Sequence, residues 1–210
     1  MSLDDAVVRA RHIDKMGQPL GAVYNELSDE LMWLHVQWLL HRQLYGTSAE
    51  RFDVLSRTAP FFFHVIQRTL WENILLRIAR LTDSPKSAGR GNLTVRRLPG
   101  LEIDATFRGD IEASLAEALA ASGFARSWRN QHLAHRDLAL ALSEAVEPMP
   151  APEVAEVEVA LHALSAVLNQ LALLYDEPPV VYGLVQFDGG VDSLVYYLRT
   201  GLRAKDGDAD

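Results

Sequence analysis

The nine residues RNQHLAHRD at Arg129–Asp137 gather two arginines, two histidines, one asparagine and one aspartate. His132 and His135, three apart, would share a helical face and can hold a metal jointly, but a third ligand has to come from elsewhere. The Glu-x-x-His pairs of di-iron bundles are absent from the sequence. No metal and no other cofactor is therefore expected. A plainer account of the segment is a solvated helix face on which Asp137 pairs with Arg129 or Arg136. The string HRDL at His135–Leu138 matches the opening of a protein-kinase catalytic loop, yet Leu142 stands where that loop needs asparagine, so the match is coincidental. Walker A, GxGxxG and GxSxG signatures are also missing. Of the other histidines, His35, His41 and His64 fall on the faces of the predicted helices, and His12 and His162 at surface positions.

These residues need a scaffold, and the apolar spacing supplies one. Leu20, Val23, Leu27, Leu31, Leu34 and Trp38 recur in steps of three and four, predicting a helix over Pro19–Tyr45 that Gly46 stops. Thr47 and Glu50 read as a capping box for a second helix carrying Phe52, Leu55, Ala59, Phe62, Ile66, Leu70, Ile74, Ile78 and Leu81 on one face. Pro60 must kink that helix or start a new one. Its end falls near Thr82. A third helix over Asp104–Ser122 is closed by Gly123, and a fourth, Ala125–Leu142, carries the polar segment. The fifth, Pro152–Tyr175, keeps the three-four alternation through Val154, Val157, Leu161, Leu164, Leu168 and Leu171. Val180–Phe187 suits an extended stretch, Asp192–Thr200 a short terminal helix ended by Gly201, and the KDGDAD tail disorder. One-sided apolar helices must bury their faces on one another. The expectation is an all-α, antiparallel bundle of about five helices at residues 1–178, followed by a C-terminal extension at 179–210.

Composition narrows the function. The 210 residues are 49% hydrophobic and 23% charged, enough for one sizeable core. The absence of cysteine excludes disulfides, thiol nucleophiles and Cys-ligated zinc. No run of about 18 apolar residues and no signal-peptide pattern is seen, so a cytoplasmic protein without a membrane partner is expected. A net charge of −8 argues against broad electrostatic attraction to nucleic acid. The charge is uneven, however. Ser84–Gly100 holds Lys86, Arg90, Arg96 and Arg97 with no acid, and Phe124–Asp137 holds Arg126, Arg129 and Arg136 against Asp137 alone. Arg90, Arg96 and Arg97 are candidate phosphate contacts within a local cationic cleft, or else an ordinary solvated loop. Arg80 and Asp83 are expected to form a salt bridge at a helix end.

RNQHLAH matches the R-x(4–6)-H motif of the HEPN superfamily, with five residues between Arg129 and His135 and the polar Asn130 after the arginine. The wider pattern resembles the AbiU-like branch associated with abortive phage infection. It is carried by ELMWLHVQWLLHRQLYGTSAERFDVLSRTAPFFF, LLRIARLTD, NLTVRRLP and WRNQHLAHRD, from Leu20 to Asp137 and more weakly through Tyr175. The resemblance implies a HEPN-like helical bundle and, as in many members, a metal-independent endoribonuclease acting as a homodimer in a phage-defence or toxin–antitoxin system. Arg129 and His135 would then be catalytic. A histidine near neutral pKa moves the proton of a ribose 2′-hydroxyl or of the leaving oxygen, and an arginine holds the scissile phosphate. Asn130 and His132 would support them, and cleavage would leave a 2′,3′-cyclic phosphate. The implied partners are RNA, a second copy of the chain, and an antitoxin or regulatory protein. The alternative is a non-catalytic module that binds RNA or protein, a role HEPN domains also take. Asp137 stands where some HEPN toxins carry tyrosine. On a straight helix Arg129 and His135 lie about 120° apart, so they converge only if the helix is distorted or a partner subunit completes the site.

Overall fold

The computed structural model describes residues 3–46, 48–101, 103, 105–134, 152–184 and 189–207. Its α-helices are α1 (Leu3–Met16), α2 (Leu20–Tyr45), α3 (Ala49–Thr58), α4 (Pro60–Leu81), α5 (Ala105–Ala121), α6 (Gly123–Trp128), α7 (Val154–Leu174) and α8 (Val191–Gly207). A two-residue hairpin (β1, Lys86–Ser87; β2, Arg90–Gly91) and a 3-10 turn (Val95–Gly100) join α4 to α5. Arg129–Ala134 continue α6 as a π-helix. The fold is all-α, as the apolar periodicity predicts.

Local chemistry sets several boundaries. Ser48, not Thr47, caps α3, its hydroxyl accepting from the Arg51 amide at 3.2 Å; Thr47 lies outside the described residues. The expected second helix is two. Ala59 leaves helical geometry and Pro60 takes the first position of α4, where its missing N–H costs nothing. The break turns Phe52 and Phe62 outward and buries Phe63 instead. Gly123 starts α6 rather than merely ending α5, because the chain turns at Ser122, which is fully buried.

The chain forms two compact units, Met1–Trp33 with Leu75–Tyr182, and Leu34–Ile74 with Gly183–Asp210. In the first, α5 packs on α7. Ile111, Leu115 and Ala118 are buried on α5; Val157, Ala160, Leu161, Leu164, Val167, Leu168 and Leu171 are buried on α7. Truncating one such leucine to alanine typically costs about 2–5 kcal/mol. By length and hydropathy α7 is apolar enough to cross a membrane, but its buried stripe is that of a core helix. Helix α1, which apolar spacing did not predict, approaches α2 so closely that a Cβ on Gly21 would strike the His12 carbonyl. His12 is not a surface residue. It is buried, hydrogen-bonded through Nδ1 to Asn25 Oδ1 at 3.0 Å and edge-on to Tyr24 at 4.9 Å. Arg11 and Lys15 reach the buried Glu177 at 3.1 and 3.2 Å. Burial, reinforced by Glu177, pushes the Tyr24 phenol up to about 12.

In the second unit α3 packs on α8. Leu44, Leu55, Phe63, Val191 and Val195 form its core, with Leu198 beside them. The C-terminal segment expected as an extension thus supplies core residues here. Its helix runs through Gly201 and includes Lys205–Gly207, which the sequence reading placed in a disordered tail. Arg51–Asp192 (2.9 Å), Arg57–Asp206 (2.7 Å) and Arg199–Glu50 (3.0 Å) tie α8 to α3.

Candidate functional site

The site grows from the C-terminal end of α4. The last carbonyls of a helix lack partners within it, and here residues from the following loop supply them. The Thr94 hydroxyl lies 2.9 Å from the Leu81 carbonyl and 2.8 Å from that of Asp83, sharing its proton between them. Arg96 Nε donates to the Thr82 carbonyl at 2.8 Å. Thr94 also caps the 3-10 turn, accepting from the Arg96 amide at 3.3 Å. Helix end and loop are thereby one assembly, with the Asp83 side chain left to face other partners.

The rest of the loop is self-contained. Arg97 donates through Nε to the Asn92 carbonyl and through Nη2 to that of Pro85, the latter at 3.1 Å. A Cβ at Gly91 would meet the Arg97 guanidinium, so that side chain would have to shift to admit one. Ala88 and Gly89 turn the hairpin with φ of 47° and 76°, the pair of positive values that a two-residue turn of this hand needs. Arg90 is exposed on β2.

From α6 and the π segment come the other half. Arg129 Nη1 pairs with Asp83 Oδ2, the two side chains only 20% and 27% exposed. Asp83 is therefore engaged by Arg129, 46 residues away, and not by Arg80 as the sequence suggested. Arg129 also donates from Nε and Nη2 to Asn130 Oδ1 at 3.2 and 3.0 Å. One turn earlier, Arg126 Nη2 donates to the Leu119 carbonyl at 2.8 Å, while its Nη1 is buried with no acceptor among the described residues. Burial first, and then the Arg96 guanidinium, lower the Arg126 pKa; Asp83 opposes this and Arg129 adds to it. Among the described residues, Arg96, Asp83 and Arg129 are thus electrostatic neighbours of Arg126.

Of the residues singled out in the sequence, Arg96, Arg129 and Asn130 belong to this cluster. Arg97 is committed to carbonyls of its own loop. The side chain of His132 and the whole of His135 lie outside the described residues, as does Asp137. The π turn falls on Arg129–Ala134, the start of the motif, and such turns occur often at functional sites. Sequence reasoning gives Asp83 only a structural pairing with Arg80, and Arg126 no role. The available signal was the pair of acid-poor stretches, 84–100 and 124–137, which the fold brings to one place through Arg96, Arg126 and Arg129.

A cluster of this kind can hold a phosphate oxygen, since guanidinium groups offer paired donors in a rigid fork. A family model, HEPN AbiU2, matches residues 17–186. No curated protein and no solved structure matches the chain.

Proposed function

Because the chain belongs to the AbiU2 family of HEPN domains, we propose that it is a metal-independent endoribonuclease of a phage-defence or toxin–antitoxin system, cleaving RNA through Arg129 and His135. The observation that carries this reading is the setting of Arg129. It is not on a solvated helix face but half-buried at a π turn, oriented by Asp83 and Asn130, with Arg126 an electrostatic neighbour. A half-buried arginine held by a neighbouring side chain is preorganised to meet a scissile phosphate, and preorganised donors contribute more to a transition state than mobile ones. His135 would move the proton between the 2′-hydroxyl and the leaving oxygen, with Asn130 and His132 supporting the two groups. RNA is the substrate, a second copy of the chain and a regulatory protein are the partners, and the cytoplasm is the working compartment of this reading.

The test is cleavage of RNA by the purified chain in EDTA, with product ends analysed for 2′,3′-cyclic phosphate. His135→Ala should slow it by about 10²–10⁴-fold with the melting temperature unchanged. Cleavage that EDTA abolishes and zinc restores would overturn the proposal and favour a His132/His135 metal site. One observation favours a second reading: Arg129 is already paired with Asp83, as a structural arginine would be. Wild-type protein that binds RNA without cutting it would establish the non-catalytic binding module.

A further inference from the structure

We propose that Arg96, Arg126 and Arg129, gathered around Asp83 at the end of α4, form a phosphate-binding site that takes an RNA backbone phosphate by displacing Asp83 from Arg129. The inference rests on the RNA reading for its natural ligand and shares Arg129 with the Arg/His motif, to which it adds Arg96, Arg126 and Asp83 from outside that motif.

Three observations carry it. Each arginine is fixed: Arg96 by the Thr82 carbonyl (2.8 Å), Arg126 by that of Leu119 (2.8 Å) and Arg129 by Asn130 (3.0 Å). Among the described residues the guanidiniums are in excess: Asp83 is the one carboxylate there that acts on Arg126, against two further guanidiniums. Finally, Arg126 Nη1 is a buried donor with no acceptor among the described residues, and an unmet buried donor is costly, more so when charged. An incoming phosphate brings several acceptor oxygens and one negative charge. It would satisfy Arg126 and replace Asp83 on Arg129 without leaving either guanidinium unpaired. Arg126 and Arg129, three residues apart, stand at the spacing of about 5–6 Å between Cβ atoms that lets two side chains grip one group.

The decisive feature is that two single substitutions should act in opposite directions. A 2′-O-methyl oligoribonucleotide, which cannot be cleaved at the 2′-hydroxyl, is titrated into the full chain between 50 and 200 mM salt and followed by fluorescence anisotropy. Arg126→Gln, which retains a donor for the Leu119 carbonyl, should weaken binding and reduce the slope of log affinity on log salt by about 0.7, one phosphate contact on a single strand. Asp83→Asn should tighten binding by about fivefold, the scale of one unit charge removed at about 4 Å in a water-like dielectric. Loss of fold would weaken binding in both variants, so two weaker binders would overturn the proposal, as would two unchanged ones. If Arg126→Gln does not fold, the sign of the Asp83→Asn effect decides alone, because that side chain makes no contact with the Leu119 carbonyl. Inorganic pyrophosphate separates the site from the RNA reading. A wild-type melting temperature raised by pyrophosphate, and not raised in Arg126→Gln, supports the site even if no RNA binds; RNA binding with an unaltered slope in both variants overturns the site and leaves the RNA reading standing.

Discussion

Removing the charge of Asp83 should cost stability in an amount that reports how Arg129 is held. The pair joins side chains 27% and 20% exposed, placing it between an exposed ion pair, worth about 0.2–1 kcal/mol, and a fully buried one, whose disruption costs about 3–5 kcal/mol. Asp83→Asn retains the backbone carbonyl that Thr94 caps, so only the side-chain term is lost, and about 1–2 kcal/mol is expected. For a chain of this size that corresponds to a fall in melting temperature of roughly 2–8 °C. The assay is urea unfolding of four proteins: wild type, Asp83→Asn, Arg129→Gln and the double variant. The double variant should be less destabilised than the sum of the singles by about 1 kcal/mol, and that coupling should shrink as salt rises. Additivity within about 0.3 kcal/mol would refute the pairing. The result also changes how Arg129 variants are read. Since Arg129 has a structural partner, lost stability does not argue against a role in catalysis, and His135→Ala becomes the cleaner separation of the two.

Two further outcomes follow from local chemistry. Burial, and then Arg42, hold the His41 imidazole below its ordinary value of 6.5, so the unfolded chain takes up a proton first. Stability should be full at about pH 7 and fall as pH drops through that value toward the folded one; His41→Phe, which keeps a ring against Trp38 (5.7 Å, stacked), should flatten this dependence, and an unchanged slope would refute it. Among the loop cations, Arg90→Ala should reduce the salt slope of RNA binding by about 0.7 at unchanged melting temperature if Arg90 meets a phosphate, whereas Arg96→Ala and Arg97→Ala should also lower the melting temperature because each holds loop carbonyls; an Arg90 variant with wild-type slope would return that residue to the solvent.

What the sequence disclosed was what apolar spacing and punctuation encode. Helix α2 lies within a residue of its predicted limits because Leu20, Leu27, Leu31 and Leu34 mark its buried face and Pro19 and Gly46 bracket it. Pro60 announced the α3–α4 break for a covalent reason. Helix α1 lacks a long apolar stripe because much of its packing is polar: His12 on Asn25, Arg11 and Lys15 on Glu177. A search for apolar periodicity does not register such contacts. Helix α8 extends past Gly201, where local sequence suggests a stop, because Leu202 beyond it is buried and Asp206 pairs with Arg57. In the site, Arg129 and Asn130 could be picked out from local composition. Asp83 could not be joined to Arg129, because its local neighbour Arg80 was an equally plausible partner, and only tertiary structure chooses between a neighbour three residues away and one 46 residues away.

The π turn at Arg129–Ala134 bears on how a motif's spacing should be understood. In an α-helix each hydrogen bond closes over four residues, whereas in this segment it closes over five. Sequence distance therefore does not convert to angle at a constant rate along this stretch, and the divergence of about 120° for a six-residue step belongs to a straight helix only. A motif with a variable gap between its arginine and its histidine would be hard to satisfy on a rigid cylinder, where each added residue swings the second side chain by about 100°. A helix that can widen one turn absorbs part of that change. The arginine stays where Asp83 holds it, and the backbone, not the anchor, takes up the difference in count.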